Sequence, residues 1–253
     1  MKTQKFNLLL VLFLLIIPMS LLQGQGNQKF WVHEDVVKPS MVGEYEAVVK
    51  ELVDNLKKYN IPEATFIVSN LADSRYLYVS PLANMAALDK PLFATLAEKM
   101  GDDAMTDLFN RMDKCYDVEQ DYVITLDNEL SYQPGGINQT PEGEDYRKFH
   151  YLHVAPGDRA MIREKMKAVK DLFAAKGSKM YYRVYSSGFG TRGDFYMVAI
   201  AAKDAVDYAQ KGAENDVLIG EEGDKVMGDL FGHLLKYEEY IGRMRPDMAY
   251  APQ

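Results

Sequence analysis

One cysteine, one tryptophan and four histidines are all that this chain of 253 residues holds of three chemically versatile residue types. A lone cysteine, Cys115, excludes an intramolecular disulfide, so stability rests on a packed core. It sits in the patterned stretch RMDKCYDV and reads as buried filler rather than a nucleophile. The sequence contains no HExxH, CxxC or GxSxG pattern. Its one glycine cluster, Gly188 to Gly193, joins two predicted strands instead of opening a helix, so it reads as a flexible loop and not a phosphate cradle. Basic residues are the minority, 29 against 37 acidic. That balance disfavours nucleic acid and anionic lipid as partners.

Long apolar runs are absent except at the N-terminus. Lys2 and Lys5 precede Leu8 to Ile17, and Pro18 and Ser20 close the run. This is the pattern of an export signal over residues 1–24, cleaved near Gly24. The run is short for a membrane anchor, and no cysteine stands near it for lipid attachment. The expectation is a periplasmic or secreted protein with no stable membrane span after signal removal. Loss of Lys2 and Lys5 leaves 27 basic residues and a formal charge of −10.

What is abundant is self-similarity at a spacing of 117 residues. His33 precedes Pro39 by six positions, as His150 precedes Pro156. A helical face follows each proline: Tyr45, Val49, Leu52 and Leu56 in one copy, Ile162, Met166, Val169 and Phe173 in the other. Ser40 and Asp158 are the expected N-caps, and Asn60 and Gly177 the expected left-handed C-caps. Strands are expected over 65–69 and 75–80, and again over 182–186 and 194–200, with a connecting loop two residues longer in the second copy. Helical regions then run over 91–112 and 203–230, the second interrupted by glycines. Each copy closes on a matching stretch in which Tyr122, Leu130, Tyr132 and Pro134 align with Tyr240, Met248, Tyr250 and Pro252.

The order strand, helix, strand, strand, helix, strand defines an α+β fold of two fused ferredoxin-like βαββαβ repeats. They span 25–134 and 147–253, joined by a Pro- and Gly-rich linker over 135–146 that carries the acceptor triplet Asn138-Gln-Thr140. Packing of the two sheets on each other predicts one barrel-like body, a monomer or homodimer. In this arrangement the chain resembles the dimeric α–β barrel superfamily, and looks like the exported NIPSNAP-like proteins of Bacteroidetes. The resemblance implies small-molecule binding or oxidative chemistry, since that superfamily includes haem-degrading and quinol monooxygenases, chlorite dismutases and dye-decolourising peroxidases. It carries over no individual residue.

Histidines are the main chemical candidates. His33 and His150 are repeat-equivalent, which favours a structural role. His153 and His233 have no histidine counterpart, and His233 falls opposite Cys115. His150 and His153 lie on opposite strand faces, so they do not share a metal ion, and no metal site is expected. A single axial ligand to haem would be His150, His153 or His233. Arg183, flanked on its face by Tyr181 and Tyr185, can hold a carboxylate or phosphate, and spacing aligns Arg183 and Tyr185 with Phe66 and Val68 of the first copy. The bland alternative is an arginine reaching solvent from the sheet margin. These residues point to a small, partly apolar ligand in a barrel cavity, bound by Arg183, Tyr181, Tyr185 and His150. The alternatives are a haem-dependent or monooxygenase-like enzyme using His153 or His233, and a non-catalytic interaction module.

Overall fold

A computed structural model describes residues 27–253; the expected export signal, 1–24, lies outside the described residues. The first repeat comprises β1 (Gln28–Val37), α1 (Val42–Tyr59), β2 (Ile67–Leu71), β3 (Arg75–Leu82), α2 (Ala94–Met100), α3 (Asp102–Asp113) and β4 (Tyr116–Leu126). The second comprises β5 (Tyr146–Val154), α4 (Arg159–Lys176), β6 (Tyr182–Ser187), β7 (Asp194–Ala202), α5 (Ala205–Phe231) and β8 (Lys236–Met244). The two ferredoxin-like units form an eight-stranded closed barrel in the order β1-β3-β2-β8-β5-β7-β6-β4.

Local chemistry sets most boundaries as expected. Each proline fixes φ and lacks an N–H where a helix start leaves one unbonded, and each opens a single 3-10 turn, Pro39–Met41 and Pro156–Asp158. The capping expectation is corrected there. Ser40 lies inside its turn, Met41 is the N-cap of α1, and Asp158 caps α4 without a side-chain bond. Asn60 (φ 46°) and Gly177 (φ 65°) do end α1 and α4 in the left-handed region. Gly101 (φ 87°) splits the 91–112 region into α2 and α3. In α5 only Gly220 departs from helical geometry.

Antiparallel edges, not stacked layers alone, join the halves. β2 pairs with β8 through Ser69–Met244, Asn70–Arg243 and Leu71–Gly242, and β4 pairs with β6 through Ile124–Ser187, Thr125–Ser186 and Leu126–Tyr185. A Cβ at Gly242 would stand 2.8 Å from the Asn70 carbonyl, so the first seam closes on a glycine. The tails beyond β4 and β8 then cross over. Tyr132 forms a two-way backbone bridge to Tyr182 and its hydroxyl donates to the Ser178 carbonyl at 3.1 Å. Tyr250 does the same with Phe66 and the Ile61 carbonyl, at 3.0 Å. Met248 and Tyr250 therefore complete the core of the first repeat, and Leu130 and Tyr132 that of the second. A guanidinium–carboxylate pair accompanies each crossing with its charges exchanged: Arg245 on Glu46 of α1, Asp127 on Arg163 of α4.

These bridges also correct the alignment of the copies. Since Tyr132 matches Tyr250, Tyr182 matches Phe66, a spacing of 116. His33 faces Tyr78 and His150 faces Val198, so the spacing becomes 120 at β7. The β6–β7 loop is thus four residues longer than its counterpart, not two. Arg183 and Tyr185 occupy the places of Ile67 and Ser69, not of Phe66 and Val68. A slip of one residue moves a side chain to the other face of the sheet.

The 188–193 loop is pinned, not free. The Phe189 carbonyl accepts from the Val123 N–H at 2.8 Å, and Gly190 (φ 85°) passes so close that a Cβ would lie 2.4 Å from the Asp121 carbonyl. Gly190→Ala is expected to lower stability by at least about 1–2 kcal/mol from backbone conformation alone, read as a lower urea midpoint with an unchanged slope; an unchanged midpoint would refute this packing.

Candidate functional site

Inward-facing side chains fill the barrel. Phe30, Val32, Leu77, Ile124, Phe149 and Met197 occupy its middle. At one end Glu34 accepts from Tyr122 at 2.9 Å and pairs with Arg75, whose guanidinium lies 4.2 Å over the Tyr240 ring. At the other end stand two buried arginines, Arg147 and Arg183, 1% and 4% exposed. They bond to main-chain carbonyls instead of carboxylates: Arg147 to Gln139, Glu144 and Tyr146, and Arg183 to Asn138 at 2.6 Å. The lumen between them retains only about 50 Å³.

An open hollow of about 700 Å³ lies at the barrel's end beside Leu82, Leu126 and Ile137, and two further cavities lie outside the barrel wall, between each half-sheet and its helices. In the second repeat a cavity of about 520 Å³ is lined by Leu152, Met166, Phe173, Tyr182, Ile200 and Met227. Its volume comes from α5, which turns Ala209, Gly212 and Ala213 toward it. The equivalent cavity of the first repeat, about 350 Å³, is narrowed by Leu92, Phe93 and Phe109. Spaced small residues on α5 were the sequence signal for this difference, and the motif-based reading passed over them.

Repeat-equivalent histidines face these two cavities in opposite electrostatic settings. On the wall of the second, Lys148 holds Glu239 at 2.9 Å and keeps its carboxyl below the usual range. A carboxylate only accepts, so the Tyr237 hydroxyl donates to Glu239 at 3.2 Å. The Tyr237 oxygen is then left to accept from Nδ1 of His150 at 2.6 Å. This assigns the proton to Nδ1 and leaves Nε2 as the acceptor, with the Tyr208 hydroxyl at 3.3 Å. Burial, reinforced by Lys148, pushes His150 down to about 4, so the ring is neutral across the physiological range.

On the wall of the first cavity, burial alone would lower His33, but Asp35 at 3.2 Å and Asp121 at 3.0 Å outweigh it. The ring is pushed up to about 9. Trp31 donates to the same Asp121 oxygen at 2.9 Å, and Tyr45 donates to Asp35. A structural role for both histidines is too narrow an account, since each lines a cavity.

Of the residues singled out from sequence, His150 alone lines the large cavity. Arg183 and Tyr185 face the barrel lumen, and Tyr181 is exposed at the barrel's end against Tyr132. His153 sits at the opposite end of β5 from Arg147, its Nε2 2.7 Å from Glu238. His233 is exposed beyond α5, with Nδ1 on the Asp229 carbonyl. Cys115 is fully buried beside the Arg111 carbonyl, and burial pushes its thiol up.

No family model and no curated protein matches the chain. Solved structures do. An anthrone oxidase-like protein superposes with a TM-score of 0.57 at 11% identity, over 86% of this chain and 91% of that one. A protein from Fusobacterium nucleatum designated a candidate monooxygenase gives 0.52 at 12%, over 86% and 92%. The fold is the dimeric α–β barrel. A chlorite dismutase from Candidatus Nitrospira defluvii superposes less well, at 0.48 and 10% identity over 90% and 94%. Within the α–β barrel of this chain the described residues form no assured cofactor site. The second cavity would offer a haem one imidazole, His150, and no lysine or arginine for the propionates.

Proton titration followed by NMR should separate the twins, with His33 titrating near 9 and His150 near 4. The raised His33 stabilises the fold fully below its ordinary 6.5, and that contribution is lost as pH rises through 9. The depressed His150 acts in the reverse sense, costing stability as pH falls from 6.5 toward 4. Two ordinary titrations near 6.5 would overturn both assignments.

Proposed function

We propose that the protein binds a small, mostly apolar molecule in the sheet–helix cavity of the second repeat and promotes its oxidation. The supporting observation is the pairing of a largely apolar space of about 520 Å³ with one oriented proton acceptor, Nε2 of His150. A ligand placing an acidic O–H or C–H against Nε2 can hand over its proton. Glu239, relayed by Tyr237, offsets part of the cost that burial and Lys148 place on the imidazolium so formed. Deprotonation leaves an electron-rich anion in a water-poor site, the form of a phenol or enol most readily oxidised by dioxygen. The names of two superposing neighbours, an anthrone oxidase-like protein and a candidate monooxygenase, favour this class of chemistry. The lumen, with its 50 Å³ between Arg147 and Arg183, is too small for such a substrate. Export to the periplasm and the closer likeness to NIPSNAP-like proteins belong to the same proposal, and rest on residues 1–24 and on the repeat pattern.

The second reading is binding without chemistry, favoured by how fully the cavity is lined with apolar side chains. Anthrone with an oxygen electrode distinguishes the two. Dioxygen uptake that falls by at least about 100-fold in His150→Ala supports catalysis, with the rate independent of pH between 5 and 8 because His150 stays neutral there. Saturable anthrone binding without uptake, lost in the cavity-filling Ala213→Trp, supports the second reading. Neither binding nor uptake would reject both.

A further inference from the structure

The first repeat's cavity holds a group of side chains that its twin lacks. In the β1–β4 ladder His33 stands directly opposite Asp121, and Asp35 directly opposite Glu119. Residues two apart share a face, so all four project to the helix side of the wall. Two carboxylates directly across a ladder repel each other unless a cation lies between them. Asp35 is also the most buried of the group, at 1% exposed. Its Oδ2 accepts from Tyr45, whereas its Oδ1 faces Nε2 of His33 at 3.2 Å as an ion-pair neighbour at an angle outside hydrogen-bond geometry. A buried carboxylate oxygen left without a donor is costly and asks for an explanation.

The spacing supplies one. Two ligand atoms each about 2.1 Å from a shared ion, at roughly tetrahedral to octahedral angles, stand about 3.0–3.4 Å apart without bonding to each other. Oδ1 of Asp35 and Nε2 of His33 meet that condition. Glu119 brings a third ligand atom, and one atom from each of the three residues lies within 4.8 Å of the others. Asp121 occupies the place of an outer carboxylate, taking Nδ1 of His33 at 3.0 Å and itself fixed by Trp31. That contact orients the ring with Nε2 toward Asp35.

We infer that His33, Asp35 and Glu119 bind a divalent transition-metal ion of the zinc, manganese or iron class, oriented by Asp121. One imidazole with two carboxylates suits these ions better than calcium or magnesium, which favour all-oxygen sets. Three protein ligands facing a 350 Å³ cavity leave coordination positions for water or a small molecule. The site is formed by the opposite half of the barrel from the His150 cavity and does not depend on the oxidative reading.

Trp31 is the only tryptophan in the chain and contacts Asp121, so its emission reports on the site alone. Titration of the full chain with Co²⁺ is expected to quench that emission saturably at one ion per chain. Quenching should vanish in His33→Gln, and the apparent affinity should fall about 10–100-fold in Asp121→Asn. It should be unaffected in His233→Gln, which removes an exposed imidazole from elsewhere. Asp35→Asn tests the buried ligand. Should that variant fail to fold, Glu119→Gln, at an exposed position, must still weaken binding about tenfold or more. Excess Zn²⁺ should restore the emission by displacing Co²⁺, whereas excess Mg²⁺ should not. Absence of saturable quenching, or quenching retained by both His33→Gln and Glu119→Gln, would overturn the assignment.

Discussion

The backbone bridges Phe66–Tyr250 and Tyr132–Tyr182 tie the ends of each repeat into the other, and the architecture depends on that exchange. A ferredoxin-like half-sheet leaves two edges open, and exposed edges recruit further strands. Here each open edge meets the opposite copy, so no edge of the barrel remains unpaired. The tails then seal the helix layers: Met248 and Tyr250 under α1, Leu130 and Tyr132 under α4. Reversal of the accompanying ion pair, Arg245–Glu46 against Asp127–Arg163, shows that geometry was retained while charge was exchanged.

Closure also decides where function can reside. Once the lumen is packed with aromatic and aliphatic side chains, space remains between wall and helices, once in each repeat, and in an open hollow at the barrel's end beside Leu82, Leu126 and Ile137. The two histidines at this position started from equivalent places and diverged through their neighbours. Burial and the lysine at 148 leave His150 neutral, whereas three carboxylates surround His33 with negative charge. Duplication freed one copy to favour an apolar guest and the other a cation.

Much of the fold was legible in the sequence because the repeat signals its own register through Pro39 and Pro156, Asn60 and Gly177, and Tyr132 and Tyr250. The errors came where spacing alone carried the argument. A deletion of one residue before β6 leaves the hydrophobic pattern plausible in either register, so spacing alone aligns Arg183 with Phe66 instead of Ile67. The Asp35–Glu119 and His33–Asp121 oppositions were not readable, because they require the pairing of strands some 85 residues apart. Nor did composition reveal that the cavities would lie outside the barrel, since aromatic residues suit a pocket lining and a packed lumen equally well.

The exchange of tails has a consequence for how the chain matures. The core of the first repeat includes Met248 and Tyr250, which follow the last strand of the second repeat. An N-terminal half emerging from the ribosome therefore lacks the last pieces of its own interior, and the β2–β8 seam as well. Contacts this distant in sequence are slow to form and reward the chain only at the end. Neither half closes its core by itself, so the two repeats depend on each other to complete their structure.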